Sequence, residues 1–369
     1  MSSNKNKNIL LVSSAFYPEI SPRSYRATEL AKELYRQGHS VSVISKYRDH
    51  DYSDFLGQYG IRLKMWGKSK LPKIPSCKRK PMSFISRGLT RLLMVLLEYP
   101  AIEEMFKVKK ALRKEGGYDL MISFAVPYPV HWGVAWSRSD RHPIAKKWVA
   151  DCGDPYMGDV LDSFRKPFYF GFLEKLFCSK ADFISIPIES ARPAYYTEFH
   201  DKIRIIPQGF DFNLNEKEHD QPGNKVPTFA YAGGFLPGAR DPEPLMRYLV
   251  KLDRPFKFMV FTNRADLIND FKDTLNEKLV ISDYIPRSEL LKILAGMDFL
   301  VNFDNNTTLN SPSKLIDYSI VNRPVLNIER DFKSNPLLEF LNGDYSNRLQ
   351  LPDREQYHIK NVTRLFLNL

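Results

Sequence analysis

Chemistry is most legible in Asn310-Ser-Pro-Ser-Lys-Leu-Ile-Asp-Tyr318. Ser311 can cap a helix, and Pro312 suits the first helical position because no amide hydrogen is needed there. The free N–H groups of Ser313 and Lys314 then point out of the helix start. Such an end attracts anions. With the Ser313 hydroxyl and the Lys314 ammonium it makes a compact diphosphate cradle, and Asp317, about one turn on, can accept hydrogen bonds from ribose hydroxyls. The plainer reading is a normally capped helix with a surface lysine. His131, just after the strand-like residues 123–126, is a candidate for the acceptor side of a ligand cleft, although a lone histidine beside Trp132 is more often a packed helix residue. The three cysteines, Cys77, Cys152 and Cys178, are far apart and lack metal-ligand spacing. Neither a disulfide framework nor a metal site is expected, and a reducing cytoplasm fits best.

These residues need elements to hold them. Asn8-Ile-Leu-Leu-Val-Ser-Ser14 is an apolar run of strand length, as for a strand buried on both faces. A loop with Pro18, Pro22 and Arg23 follows, and Ala27, Leu30, Ala31 and Leu34 then recur at helical spacing over residues 25–37. Gly38 stands at the C-cap, and a second strand covers residues 41–44. That is a β-α-β unit with parallel strands and a right-handed crossover. Further buried strands are expected over residues 120–124, 147–150, 183–186 and 203–206. After a polar, turn-rich stretch they resume over 228–231, 256–261, 279–281, 299–301 and 324–328, with a helix over 288–297. The final residues, 356–369, repeat apolar positions at helical spacing, as for a helix packing back on the first domain. The reading is α/β: a first domain over 1–211, a linker over 212–227, a second domain over 228–354 and a C-terminal helix over 355–369. Two doubly wound domains place two sets of strand C-termini opposite one another, so the interdomain cleft is the expected ligand site.

Composition narrows the classes. At 369 residues with 43% hydrophobic and 26% charged residues, the chain is globular, neither disordered nor collagen-like. No apolar run approaches the ~18 residues of a membrane span. The net charge of +11 is concentrated: residues 62–114 hold 15 Lys and Arg against 3 Glu, a local +12. Nucleic-acid binding is disfavoured, because no recognition motif or array of interleaved aromatics accompanies the charge. The same segment contains an amphipathic helix candidate over 83–97 with Arg87 and Arg91, preceded by Lys64, Lys68, Lys70, Lys73 and Lys78 to Lys80. Such a stretch suits an anionic membrane surface, and an acceptor carried on a lipid would explain it.

Ordered motifs across both halves resemble glycosyltransferase family 4, retaining enzymes of GT-B architecture with two Rossmann-like domains. They are Phe16-Tyr-Pro18, Arg26, Gly38-His-Ser-Val-Ser-Val-Ile44, Trp148-Val-Ala-Asp151 with Asp154-Pro-Tyr156, and Ala181-Asp182. Ile206-Pro-Gln-Gly-Phe-Asp211, Tyr231-Ala-Gly-Gly234, residues 283–286, residues 311–317 and Arg323-Pro-Val325 follow in order. The resemblance implies a glycosyl transfer from a nucleotide diphosphate sugar to a hydroxyl with the anomeric configuration kept, in cell-surface polysaccharide or glycolipid synthesis, with no cofactor or metal. Gly233 and Gly234 fall in its donor region, where the family usually has an Arg at the place of Gly234 and a Lys at the place of Arg240. One cation is therefore missing, and Arg240 is expected on the diphosphate. Of the family's paired glutamates, Asp317 takes the second place and Leu309 the first.

In the first domain the resemblance implies that Asp151 and Asp154, with Tyr156 beside them, orient or deprotonate the acceptor hydroxyl. Arg23 and Ser24 stand where the family often has glycines in the loop after the first strand, so contacts there would use side chains. The expected mechanism is front-face: the leaving diphosphate, held by Lys314, Arg240 and the helix start, takes the incoming proton. Asp49-His-Asp51 copies the metal-binding Asp-x-Asp of the other major glycosyltransferase fold, but its place after the second strand argues against that role. The alternatives are a sugar-nucleotide-binding partner subunit without catalysis and an epimerase of the same architecture.

Overall fold

The computed structural model describes residues 6–71, 80–159, 165–212, 223–304 and 313–369, with backbone alone for 80–87, 89 and 313. Ser311, Pro312, Cys77 and the Lys78-Arg79 pair lie outside the described residues, as does the Ser313 side chain. The chain divides into two compact units, Met1–Asp211 with Gln356–Leu369, and Phe212–Glu355.

The first unit runs β1 (Asn8–Ser13), α1 (Pro22–Arg36), β2 (Ser40–Ser45), α2 (Ser53–Tyr59), β3 (Arg62–Met65), α3 (Lys80–Leu97) and α4 (Ile102–Leu112). It continues with β4 (Tyr118–Ala125), α5 (Pro129–Ser137), β5 (Ala145–Cys152), α6 (Tyr169–Lys180), β6 (Phe183–Ile186) and β7 (Ile203–Ile205). All strand pairs are parallel, in the order β3-β2-β1-β4-β5-β6-β7. Alternation along β1 explains the double winding. Leu10 and Val12 enter one core with Trp132, Trp148 and Phe177, while Ile9 and Leu11 enter another with Leu30, Leu34 and Phe366.

The second unit holds β8 (Thr228–Ala232), α7 (Glu243–Lys251), β9 (Lys257–Phe261), α8 (Lys272–Leu275), β10 (Leu279–Ser282), α9 (Arg287–Ala295), β11 (Phe299–Phe303), α10 (Ser313–Val321), β12 (Val325–Ile328) and α11 (Ser334–Leu341). Its parallel sheet has the order β10-β9-β8-β11-β12. Phe229 stacks on Phe258 and Phe299, with ring centroids 4.7 and 4.6 Å away, across three adjacent strands. The last helix, α12 (Ile359–Leu367), buries Val362 and Phe366 in the α1 face of the first unit. Phe210 is tied to its start by two backbone bonds of 2.8 Å, donating to the Tyr357 carbonyl and accepting from the Ile359 N–H.

The expected α/β architecture of two doubly wound domains holds, with two local departures. β3 was not anticipated: Arg-Leu-Lys-Met at a sheet edge carries exposed charges where a central strand would be apolar throughout. α1 begins at Pro22, three residues before its expected start at residue 25, because the Ser21 hydroxyl caps the Ser24 N–H at 3.2 Å. Arg23 and Ser24 therefore lie in the first helical turn and not in a loop.

Candidate functional site

In the second unit, Tyr231 near the end of β8, the Gly233-Gly234 turn and the first turn of α10 meet around one lysine. The Lys314 ammonium lies over the Tyr231 ring, 4.8 Å from its centroid, and its Nζ is buried without a hydrogen-bond partner among the described residues. The Nε of Arg240 is likewise buried and unbonded. Burial, with the Arg240 charge adding to it, pushes the Lys314 ammonium down to about 7, against a smaller opposing pull from Asp304. Among the described residues neither buried nitrogen has a carboxylate bonded to it, and an anion bound between them would offset the cost of burying them.

Neighbouring residues fix this geometry. The Tyr318 hydroxyl donates to the Val301 carbonyl and accepts from the Ala232 N–H, both at 3.0 Å, which ties α10 to the middle of β11 and the end of β8. The Tyr231 hydroxyl donates to the Gly234 carbonyl at 3.1 Å. Gly233 has φ +155°, and a Cβ there would stand 3.0 Å from that hydroxyl. Only glycine lets the turn close over Tyr231 this tightly. Asp317 accepts from Arg287 Nε at 2.8 Å through Oδ1, and burial raises its pKa against the opposing pull of Arg287. Its Oδ2 remains unbonded among the described residues. Tyr231, Tyr318 and Arg287 were not singled out from the sequence, because a tyrosine within an apolar run and an arginine opening a helix carry no distinguishing pattern.

In the first unit the candidates separate. Asp151, at the end of β5, is buried and bonded on both oxygens. Arg26 grips it in bidentate fashion, with Nε and Nη2 each at 2.6 Å, Ser185 Oγ donates at 2.6 Å, and Arg23 adds a contact at 3.4 Å. Arg26 also donates to the carbonyls of Ile206 and Pro207, so one ion pair ties α1, β5, β6 and the end of β7 together. Those guanidinium groups hold the Asp151 carboxyl below its usual range even against burial. A carboxylate saturated in this way does not serve as the acceptor base expected of it. Arg26 had a visible signal: it precedes Leu30 and Leu34 by four and eight residues, a charge on the buried stripe of α1.

His131 and Tyr156 also depart from the acceptor-side expectation. His131 is fully buried, its Nδ1 lies 2.8 Å from Ser123 Oγ, and burial pushes it down to about 3, so it is a neutral core residue. The Tyr156 hydroxyl donates to Glu98 at 2.9 Å while its ring packs among Tyr128, Trp132 and Phe170. Ser24 is buried too. Asp154 and Arg23 remain at the surface: Asp154 is exposed with no side-chain partner among the described residues, and the Arg23 side chain is one-fifth exposed. Asp51 accepts from the Ser53 N–H and hydroxyl ahead of α2. Among the described residues no group of three His, Cys, Asp or Glu could hold a metal, and no helix is long and apolar enough to cross a membrane.

No protein-family profile and no curated protein matches the chain. Solved structures do. The lipopolysaccharide outer core galactosyltransferase WaaB aligns over 98% of both chains at 10% identity, TM-score 0.56. Anabaena HepE in complex with UDP-glucose aligns over 98% of both chains at 10% identity, TM-score 0.55. The fold is GT-B. A UDP-N-acetylglucosamine 2-epimerase from Rickettsia bellii shares it, over 98% of this chain and 96% of that one at 12% identity, TM-score 0.52. Within this GT-B chain, the Lys314 and Arg240 pair stands at the C-terminal side of a parallel sheet, where folds of this kind bind ligands.

Proposed function

We propose that this GT-B chain transfers a glycosyl group from a nucleoside diphosphate sugar to a hydroxyl acceptor, keeping the anomeric configuration. The second unit holds the donor and the first unit the acceptor. The reading rests on Lys314 Nζ and Arg240 Nε, buried and unbonded among the described residues, a pair of cations that a diphosphate would complete. Lys314 and Arg240 bind the two phosphates, the amides that open α10 add hydrogen bonds, and the Asp317 carboxylate accepts from a ribose hydroxyl. As the sugar leaves, charge grows on the diphosphate beside cations already in position, which lowers the barrier without reorganisation. Asp154 and Arg23, the surface members of the first-unit candidates, orient the acceptor, and the departing phosphate takes its proton. Likeness to HepE, solved in complex with UDP-glucose, supports a UDP-linked donor, and likeness to the galactosyltransferase WaaB supports glycosyl transfer. An acceptor borne on a lipid of the cell-surface polysaccharide or glycolipid class suits the basic segment.

Turnover of UDP-, GDP- and other activated sugars by the purified chain tests this. Lys314→Ala is expected to lower it about 100-fold or more, the scale for removing one preorganised charge, and near-normal turnover in that variant refutes the assignment. NMR of the first-formed product reads the anomer, where inversion removes the front-face mechanism. An altered UDP-sugar with no transfer makes the chain an epimerase. Binding without any turnover makes it a sugar-nucleotide-binding subunit.

A further inference from the structure

The first unit carries an apolar, basic surface that holds none of the residues assigned to the chemical step. Phe168, just before α6, and Phe172, one turn into it, are 80% and 70% exposed. Spaced by four residues, they share one helix face. Beside them the last turns of α3 expose Leu92, Leu96 and Leu97. The two elements are tied together: the Tyr169 hydroxyl donates to the Leu96 carbonyl, and Lys166 pairs with Glu98 at 2.6 Å. The chain before α3 reaches the same corner, because the N–H groups of Lys70 and Leu71 donate to Glu103 in the first turn of α4.

Charge decides what such a surface meets. Lys68, Lys70 and Arg165 are exposed, and Lys70 and Arg165 have no acidic partner among the described residues. Glu98 is neutralised by Lys166, and Glu103 by Lys107 at 2.9 Å. Exposed large aromatics with exposed cations on the adjoining segments match a bilayer interface with anionic headgroups, where rings enter the acyl boundary and cations stay at the phosphates. A second copy of the chain docked on the same face would set these exposed cations against one another. We propose that this surface, with Phe168 and Phe172 at its tip, docks the protein on an anionic lipid bilayer.

The proposal stands on the surface alone and is independent of the reaction. Co-sedimentation with phosphatidylglycerol–phosphatidylcholine vesicles, against pure phosphatidylcholine vesicles, tests it at low and high salt. Binding is expected to the anionic vesicles and to weaken with salt. F168S/F172S should lower partitioning about tenfold or more, and K70Q and R165Q by about fivefold each. All four positions are exposed, so melting curves should match wild type. Absent binding to anionic vesicles, or binding that F168S/F172S leaves unchanged, overturns the proposal. So does a concentration-dependent dimer, seen by sedimentation equilibrium, that F168S/F172S dissolves.

Discussion

Two buried ionisable side chains pull in opposite directions at the level of single residues. Lys314 is held at a cost that a bound anion would return. Glu174 of α6 is buried with no side-chain partner for its carboxyl among the described residues, and desolvation raises it to about 7 against a smaller opposing pull from the Met157 backbone. An unfolded glutamate ionises near roughly 4.3, so between that value and about 7 the folded chain keeps a proton that the unfolded chain has lost. Stability at this site is fully present below pH ~4.3 and falls as pH rises toward ~7. Glu174→Gln should therefore leave the melting temperature near wild type at low pH and raise it above wild type at about pH 8, with a flatter profile between. A wild-type profile with no decline over that range, or a glutamine variant that melts lower throughout, removes this reading of Glu174.

At the level of elements, α10 is a lever whose fulcrum is Tyr318. Its hydroxyl is bonded to β8 and β11, and it lies one turn beyond Lys314 on the same helix. Tyr318→Phe leaves a buried N–H and a buried carbonyl unpaired, a loss of about 1–3 kcal/mol. It should also weaken nucleoside diphosphate binding, because the start of α10 is no longer held. Differential scanning calorimetry with and without UDP separates the two effects, and a variant less stable but with a full UDP-induced shift would confine Tyr318 to the fold. The same elements show where a sequence can be read. The central strands stood out because parallel strands covered on both faces must be apolar throughout, as at Leu10, Leu11 and Val12. The edge strand β3 and the capped first turn of α1 did not, since one is half charged and the other precedes its apolar stripe. Lys314 and Arg240 were legible from a helix-start pattern and a family likeness. The fate of Asp151 was not, because Arg26 reaches it from 125 residues away and no local spacing records that distance.

For the whole molecule, architecture and chemistry have to be kept apart. A galactosyltransferase and an epimerase share this GT-B fold at 10% and 12% identity to the chain, so the fold supplies sheet ends and the side chains there decide the reaction. The decisive measurement is isothermal titration calorimetry of UDP into the full chain and its Lys314→Met variant, in buffers of differing ionisation heat, at about pH 7.5 and pH 8.5. A diphosphate closing on Lys314 stabilises its charged form and raises its pKa from about 7. Wild type should then take up a proton on binding and lose affinity as pH rises. Lys314→Met, freed of a buried unpaired charge, should melt higher yet bind UDP at least about tenfold more weakly. Equal UDP affinity in the two proteins, with no proton uptake by wild type, would contradict a phosphate-binding role for Lys314.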